Sequence, residues 1–510
     1  MNQFPQAERV MVVRWAPTTL LALTFCAAPL WLWGVPLRWF FLKSDDFFYL
    51  MRSRSAVAIW SHLVTPHHGH VVPLFMLETH GLARLAGSLE ALPTVLNWAS
   101  YATMVLAMAV TGHLVAWETG RPAPGLAAMA AVSLTSVLGP TLLWYAAGQA
   151  LAAGTMIVAM LAAFQAWRAR GSWWWLALGL MASMAAPLFW SGGYTAGVVG
   201  MAYLWADGRR ACRRAAALLP ATSVALALLV WCVAGKGFAP ASHLATRSLG
   251  DVTPVGAMVA HTVQAVCEAM VLNNLGLDAA TTVGQAIVLG ALLVAFWAWS
   301  RRRADPAGSG PWPRLNPLEA AGAVLVAASF GMIFAARGID YSFEGVRGMG
   351  WYDAIAELGA VLFVAGWWSG PIDSPPPRSI EPPRRLELMV VVLFAAAMLL
   401  LQLPRVDRVI FLYDGAAAPF GSDAPIHVTR LAPADLAEKA RTQRKALAAL
   451  DRIEQAARER GTGRAAVRQA IRQVSVPGMP EPALDFDAVD LLDLPQNPSD
   501  LQELNALRPR

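Results

Sequence analysis

The sequence predicts an all-α polytopic membrane protein with about 11 transmembrane helices, surface helices in the first outer loop and a small helical C-terminal outer appendage. Three observations lead there. Hydrophobic residues make up 56% of the 510 and charged residues only 15%, more apolar side chains than one soluble core employs. The apolar residues come in runs that cross ~30 Å of hydrocarbon at about 1.5 Å per residue. Basic residues, nearly all of them Arg, fall in alternate loops between those runs, as the positive-inside rule requires.

The first run, Ala16 to Val35, follows Arg9 and Arg14, and no convincing small-x-small cleavage site comes after it, so it reads as an uncleaved span. The first outer loop, 37–91, is strongly polar. Within it Phe47 to Val64 and Pro73 to Gly87 have the composition of short helices, but Arg52, Arg54, Glu78 and Arg84 keep them on the membrane surface. Spans two to four follow at Leu92 to Trp117, Gly125 to Tyr145 and Ala150 to Trp167. Spans five and six, Trp173 to Trp190 and Tyr194 to Trp205, form a hairpin about Ser191, Gly192 and Gly193, residues that favour a reversal. Span seven is Ala215 to Ala234.

A second long outer loop, 235–281, contains the stretch Met258 to Leu272. Helical spacing puts Met258, Val259, Val263, Val266 and Met270 on one side and His261, Gln264 and Glu268 on the other, an amphipathic surface helix. Spans eight to eleven are Thr282 to Trp299, Leu318 to Ala336, Ala354 to Trp368 and Leu386 to Leu403. Residues 1–403 thus form the transmembrane domain. Residues 404–510 form the appendage, in which Leu436, Ala440, Leu447, Leu450 and Ala457 recur at helical spacing.

With a cytoplasmic N-terminus, Arg121, Arg168, Arg170, the Arg209 to Arg214 group, Arg301 to Arg314 and Arg378 to Arg385 all fall inside. The two long loops, the stretch Arg337 to Tyr352 and the C-terminus then share the outer, extracytoplasmic side of a cell inner (plasma) membrane. The net charge of +6 is spread over these loops instead of forming one basic face, which argues against nucleic acid as a partner. Four scattered cysteines, none in a CxxC pair, predict neither a disulfide framework nor a zinc knuckle.

Chemistry-bearing residues concentrate just after the first span. Asp45 and Asp46 have two readings: a helix start, where acidic residues are favoured, or a carboxylate serving as general base or oxygen ligand. Adjacent helical residues point roughly 100° apart, so one of the two faces any reaction centre, and Asp45 is the choice. His67, His68 and His70 lack the further partners of a closed metal site, and no metal-ligand set is assigned. His70, three residues before Pro73, stands at a corner beside the carboxylates. His261 and Glu268 read either as a contribution from the second loop or as a solvated helix face. Arg337, Arg347 and Tyr352 form a third outer group in which an arginine reads as a bidentate phosphate grip or as a headgroup anchor.

The run Ser44-Asp45-Asp46-Phe47-Phe48-Tyr49, together with His70-Val71-Val72-Pro73-Leu74, resembles the GT-C superfamily of polytopic membrane glycosyltransferases. These residues look like that superfamily's first-loop acidic pair and the His-x-x-Pro-Leu segment of many bacterial members. The resemblance is carried by Lys43 to Gly87, and the rest of the chain matches in architecture alone. It implies transfer of a sugar from a polyprenyl-phosphate donor to an acceptor on the outer side, with Asp45 as base or metal-binding residue and Asp46 its neighbour. A divalent cation is compatible with these residues and not required by them. The rival readings are a transporter or lipid flippase, and a non-catalytic membrane scaffold. Intramembrane charges in two corresponding halves would favour the transporter.

Overall fold

The computed structural model describes residues 6–43, 45–51, 53–55, 58–66, 70–234, 255–277, 281–304, 315–337, 350–370, 380–406, 411–413, 428–430 and 433–462, with nine further positions between 467 and 494. The chain opens with α1 (Gln6–Leu32), α2 (Gly34–Arg38), α3 (Asp45–Leu50), α4 (Ala58–His62) and α5 (Pro73–Ala86). Next come α6 (Leu92–Thr119), α7 (Pro122–Leu134), α8 (Gly139–Leu143), α9 (Gly148–Arg170), α10 (Trp173–Phe189), α11 (Ala196–Ala206) and α12 (Arg210–Ala234). Then follow α13 (Val255–Ala265), which continues as a wide helical turn to Leu272, α14 (Val283–Ala304), α15 (Pro317–Arg337), α16 (Asp353–Ser369) and α17 (Arg385–Val406). Two three-residue strands, β1 (Phe411–Tyr413) and β2 (Val428–Arg430), pair antiparallel before α18 (Pro433–Arg460).

Seven of these helices, α1, α6, α9, α12, α14, α15 and α17, are long and apolar enough to cross a membrane. The helices α7, α10, α11 and α16 are shorter, at 13, 17, 11 and 17 residues. The expected run from Gly125 to Tyr145 is interrupted at Thr135, where the backbone becomes extended and α7 ends. Polar side chains meet that break: the Ser136 N–H and hydroxyl both donate to Gln402 Oε1, at 3.0 and 2.6 Å, while the Thr135 hydroxyl donates to Asn274 Oδ1 at 2.8 Å. Freed backbone groups inside a bundle are tolerated where side chains satisfy them in this way. The expected surface helix from Phe47 to Val64 is likewise divided into α3 and α4.

α9 lies at the centre, against α6, α10, α11 and α16, and its run of Ala and Gly lets those neighbours approach closely. A Cβ on Gly154 would stand 2.9 Å from Leu358 Cδ1 of α16, and one on Gly125 of α7 would stand 2.5 Å from the Gly112 carbonyl of α6. Such contacts are how helices associate where the surroundings are as apolar as the side chains. The peripheral helices α12, α14 and α17 turn large apolar residues outward, among them Leu218, Leu292, Phe296, Leu393 and Leu400.

The bundle has two chemically distinct ends. At one, Arg168 of α9 donates to Glu118 of α6 at 2.7 Å and to Asp207 at 2.6 Å, and Tyr203 of α11 donates to Glu118 at 2.8 Å. Arg301 of α14 meets Glu319 of α15, with Nε to Oε1 at 2.9 Å, and donates to the Gly366 carbonyl of α16 at 3.1 Å. The opposite end carries α2 to α5, α8, the turns at Tyr145–Ala147, Ser191–Thr195 and Gly350–Tyr352, and α18.

α18 is tied to that end by its own apolar stripe. Leu447, Leu450 and Ala457 share a core with Leu42, Leu50 and Met76, and Leu436 and Ala440 pack on Phe41. The buried Gln443 makes two hydrogen bonds to the backbone of Leu42: Oε1 accepts from its N–H at 2.7 Å and Nε2 donates to its carbonyl at 2.8 Å. Asp451 accepts the N–H groups of Leu89 and Glu90, at 2.7 and 2.9 Å. Arg54 grips both oxygens of Glu454, at 2.6 and 3.3 Å, with both side chains under one-tenth exposed.

Removing one partner of such a buried pair strands the other's charge, at a cost of about 3–5 kcal/mol, whereas replacing both with apolar residues is close to neutral. Glu454→Ala is therefore expected to lower the unfolding midpoint in detergent by on the order of 5 °C. The double variant Arg54→Met with Glu454→Leu is expected to regain most of that loss when both are measured by thermal scanning.

Candidate functional site

The site region is built around the first turn of α3. Asp46, fully buried, accepts the Lys43 N–H through Oδ2 at 2.8 Å, closing the helix start, and the Ala146 N–H through Oδ1 at 2.7 Å. Lys43 reaches the same wall, its Nζ donating to the Leu143 carbonyl at 2.7 Å. These contacts staple α3 to the turn between α8 and α9. Asp45, one residue earlier, is partly exposed. The doublet thus divides its labour by helical rotation: Asp46 points into the protein and satisfies backbone donors, while Asp45 stands at the margin.

Burial pushes the Asp46 carboxyl up to about 7 against the opposing pull of its two N–H bonds and of Lys43, and burial likewise pulls the Lys43 ammonium down to about 8. Each group supports the other's charge against that burial.

Tyr145 is the hub of the same wall. Its ring stacks on Phe75 of α5, 4.9 Å between centroids, and its hydroxyl meets the Thr79 hydroxyl at 2.8 Å. Tyr49 of α3 stands edge-on to Phe75 at 4.9 Å and lies 3.3 Å from Gln149 Oε1. Tyr145 is almost fully buried, so its ring belongs to the protein core.

His70 is placed where the hairpin between α10 and α11 turns. Its Nδ1 lies 2.6 Å from Ser191 Oγ, and its ring is 6.3 Å from that of Trp190. Trp190 in turn stacks on Tyr352, 5.8 Å apart and 18° from parallel. The first loop, the hairpin and the start of α16 thus meet through His70, Ser191, Trp190 and Tyr352, four residues from three distant parts of the chain. Trp190 and Tyr352 are both buried, so their faces are occupied by protein.

His261 and Glu268 belong to a different neighbourhood. His261 lies 6.3 Å from the Phe334 ring of α15, and Glu268 Oε1 accepts the N–H and hydroxyl of Thr281 at 2.6 and 2.8 Å. The helix face expected to be polar is turned partly inward: Gln264 is buried and donates to the Thr281 carbonyl, while Val259 is exposed. The wide turn after Ala265 changes the rotation of everything beyond it, which regular helical spacing does not anticipate. Arg337 ends α15, but its side chain lies outside the described residues, as do Arg347, His67 and His68.

Residues not singled out by sequence also gather at this end. Glu357 of α16 is buried and accepts from Asn274 Nδ2 at 2.8 Å, with Asp353 one turn away on the same helix. An acidic pair inside an apolar run was the available signal for these two. Among the described residues no group of three or more His, Cys, Asp or Glu stands close enough to hold a metal ion.

No known family's sequence model matches this chain, and no curated protein is significantly similar to it.

The doublet's asymmetry is open to a direct check. Asp46→Ala leaves two buried N–H groups unpaired, at about 1–3 kcal/mol each, and is expected to lower the unfolding midpoint by several degrees. Asp45→Asn, isosteric and at a partly exposed position, is expected to lower the midpoint by less than Asp46→Ala does.

Proposed function

We propose that this chain is a GT-C-like membrane glycosyltransferase that moves a sugar from a lipid-phosphate donor to an acceptor on the extracytoplasmic side of a bacterial inner membrane. The observation that supports this most is the stapled α3. A carboxylate useful for catalysis must be held in place by something other than the substrate, and Asp46 provides that hold while Asp45 keeps access to solvent. In this reading Asp45 orients or deprotonates the acceptor hydroxyl, and Arg337 and Arg347 grip the phosphate of the departing lipid.

The same reading takes all of α1, α6, α7, α9, α10, α11, α12, α14, α15, α16 and α17 as eleven crossings, with the N-terminus cytoplasmic and the C-terminus outside. Two ion-pair clusters support this topology. Arg121, the residue before α7, meets Glu387 of α17, and Arg301 of α14 meets Glu319 of α15, so in each pair an arginine at one helix end meets a carboxylate at the start of another. The short helices suffice because their ends continue as polar turns held inside protein instead of facing lipid. Bilayer lipids are the remaining partners.

A transporter is the second reading, and one observation favours it: Asp353 and Glu357 lie along an apolar helix, where ionisable groups mark ion or substrate paths.

The discriminating assay uses proteoliposomes and a panel of polyprenyl-phosphate sugars. Asp45→Asn is expected to reduce transfer about 10²–10⁴-fold, the usual contribution of a positioned base, with a smaller drop in unfolding midpoint than Asp46→Ala. Wild-type turnover in that variant removes Asp45 from the role of base, and absence of transfer by the wild-type protein from every donor of the panel overturns the glycosyltransferase assignment. No sugar transfer by the wild-type protein, with movement of the lipid-linked sugar across the proteoliposome membrane that is lost in Asp353→Asn and Glu357→Gln, points to the transporter.

A further inference from the structure

A serine hydroxyl is a poor nucleophile until a base takes its proton, and the fold has to bring that base to it. One serine at the α5 end of the bundle has such a base. Ser191 opens the turn between α10 and α11, and its Oγ lies 2.6 Å from His70 Nδ1, across 121 residues of chain. Both residues are half-buried, so protein holds the pair while part of each stays accessible.

Packing fixes both partners. On the imidazole side, Val71 and Val72 are buried and Pro73 starts α5 directly afterwards, which pins the backbone that carries His70. On the serine side, the run Trp190-Ser191-Gly192-Gly193 admits contacts that a side chain would block. A Cβ on Gly193 would collide with the Ala186 carbonyl, and one on Gly192 with the Trp190 ring. The buried Trp190 stacks on Tyr352 and so backs the turn, and its ring also lies 6.3 Å from that of His70. A nucleophile and base held in this way lose little freedom on reaching the geometry of reaction.

The oxygen of an attacked carbonyl acquires negative charge and needs donors aimed at it. The turn at Ser191 makes its first backbone bond from the Gly193 N–H to the Trp190 carbonyl, at 2.8 Å, and runs on into α11. The N–H groups of Ser191 and Gly192 come ahead of that bond, at the positive end of a helical segment that continues to Ala206. The N–H of a nucleophile and that of its successor are suitably placed for such an oxygen.

We infer that Ser191 and His70 form a second catalytic pair, one that cleaves the carboxylic esters of membrane lipids. The inference goes beyond sugar transfer and shares with that reading only the topology of eleven crossings. In that topology the turn lies at the boundary between headgroups and chains, the depth at which a lipid carries its ester carbonyl. Ser191 Oγ bonds to the acyl carbon as its proton passes to His70 Nδ1. The bond from that carbon to the alkyl oxygen then breaks, and its electron pair leaves with the alcohol, which takes the proton from His70. Water, deprotonated in turn by His70, attacks the acyl-serine, the fatty acid departs, and the proton returns to Ser191 Oγ.

An alkyl fluorophosphonate tests the pair without any knowledge of the lipid, because it bonds to a serine that a base has activated and expels fluoride. The full-length protein in detergent is treated with the probe, and adducts are located by peptide mass spectrometry. Ser191 is expected to carry the adduct, and His70→Gln to slow its formation about 10²–10⁴-fold, the usual contribution of a positioned base. The wild-type protein is expected to release fatty acid from p-nitrophenyl laurate and from dioleoyl phosphatidylglycerol in mixed micelles, and Ser191→Ala to release it from neither.

An unlabelled Ser191 in the folded wild-type protein overturns the inference, whatever the variants do. Equal labelling rates in His70→Gln and the parent overturn it too, since the imidazole is then a structural partner alone. A labelled Ser191 that cleaves neither ester does the same.

Discussion

One carboxylate organises the membrane-edge half of this protein. Asp46 has no exposed surface and spends both oxygens on backbone N–H groups a hundred residues apart in sequence, those of Lys43 and Ala146. Burying a carboxyl without such donors costs several kcal/mol, so the position is stable only while α3 and the turn before α9 keep their register. The Lys43 hydrogen bond to Leu143, the paired hydrogen bonds of Gln443 to Leu42 and the stacking of Phe75 on Tyr145 all brace that register from different directions. The C-terminal helix is thus part of the wall and not a tethered extra.

The bundle beneath satisfies a different constraint. Its interior is apolar and rich in small residues, so association depends on close backbone approach and on a few polar locks instead of on differential burial. Those locks sit at the ends. Arg168 with Glu118 and Asp207 ties α6, α9 and α11, and Arg301 with Glu319 and the Gly366 carbonyl ties α14, α15 and α16. Each charge is fully paired, as deep burial demands. Between the ends, the break at Thr135 and the Asn274 contact to Glu357 introduce polarity where the chain needs to turn.

Several parts of the site were legible in the residues alone. The helix start at Ser44, Asp45 and Asp46 was readable because acidic residues favour a first turn, and helical rotation already separated the two carboxylates into different roles. His70 was readable as a corner residue because Pro73 begins the next helix. Other parts were not. Nothing in the spacing of Trp190, Ser191 and Tyr352 announces that they meet His70, because the meeting is made by helix packing between segments more than a hundred residues apart. His261 and Glu268 share an apparent polar stripe with Gln264, yet the wide turn after Ala265 redirects the face, and Glu268 closes on Thr281.

From composition and periodicity alone the chain declared its solvent, the positions of its apolar helices and the concentration of ionisable residues after the first one. These follow from local chemistry, since a run of apolar side chains must leave water wherever it is placed. Tertiary structure decided which of two adjacent aspartates is buried, which helices stop short, and that a C-terminal amide would hold the backbone of the first loop. Those outcomes depend on which donors and surfaces arrive from elsewhere in the chain, and a buried carboxylate is acceptable only where its partners have been brought to it.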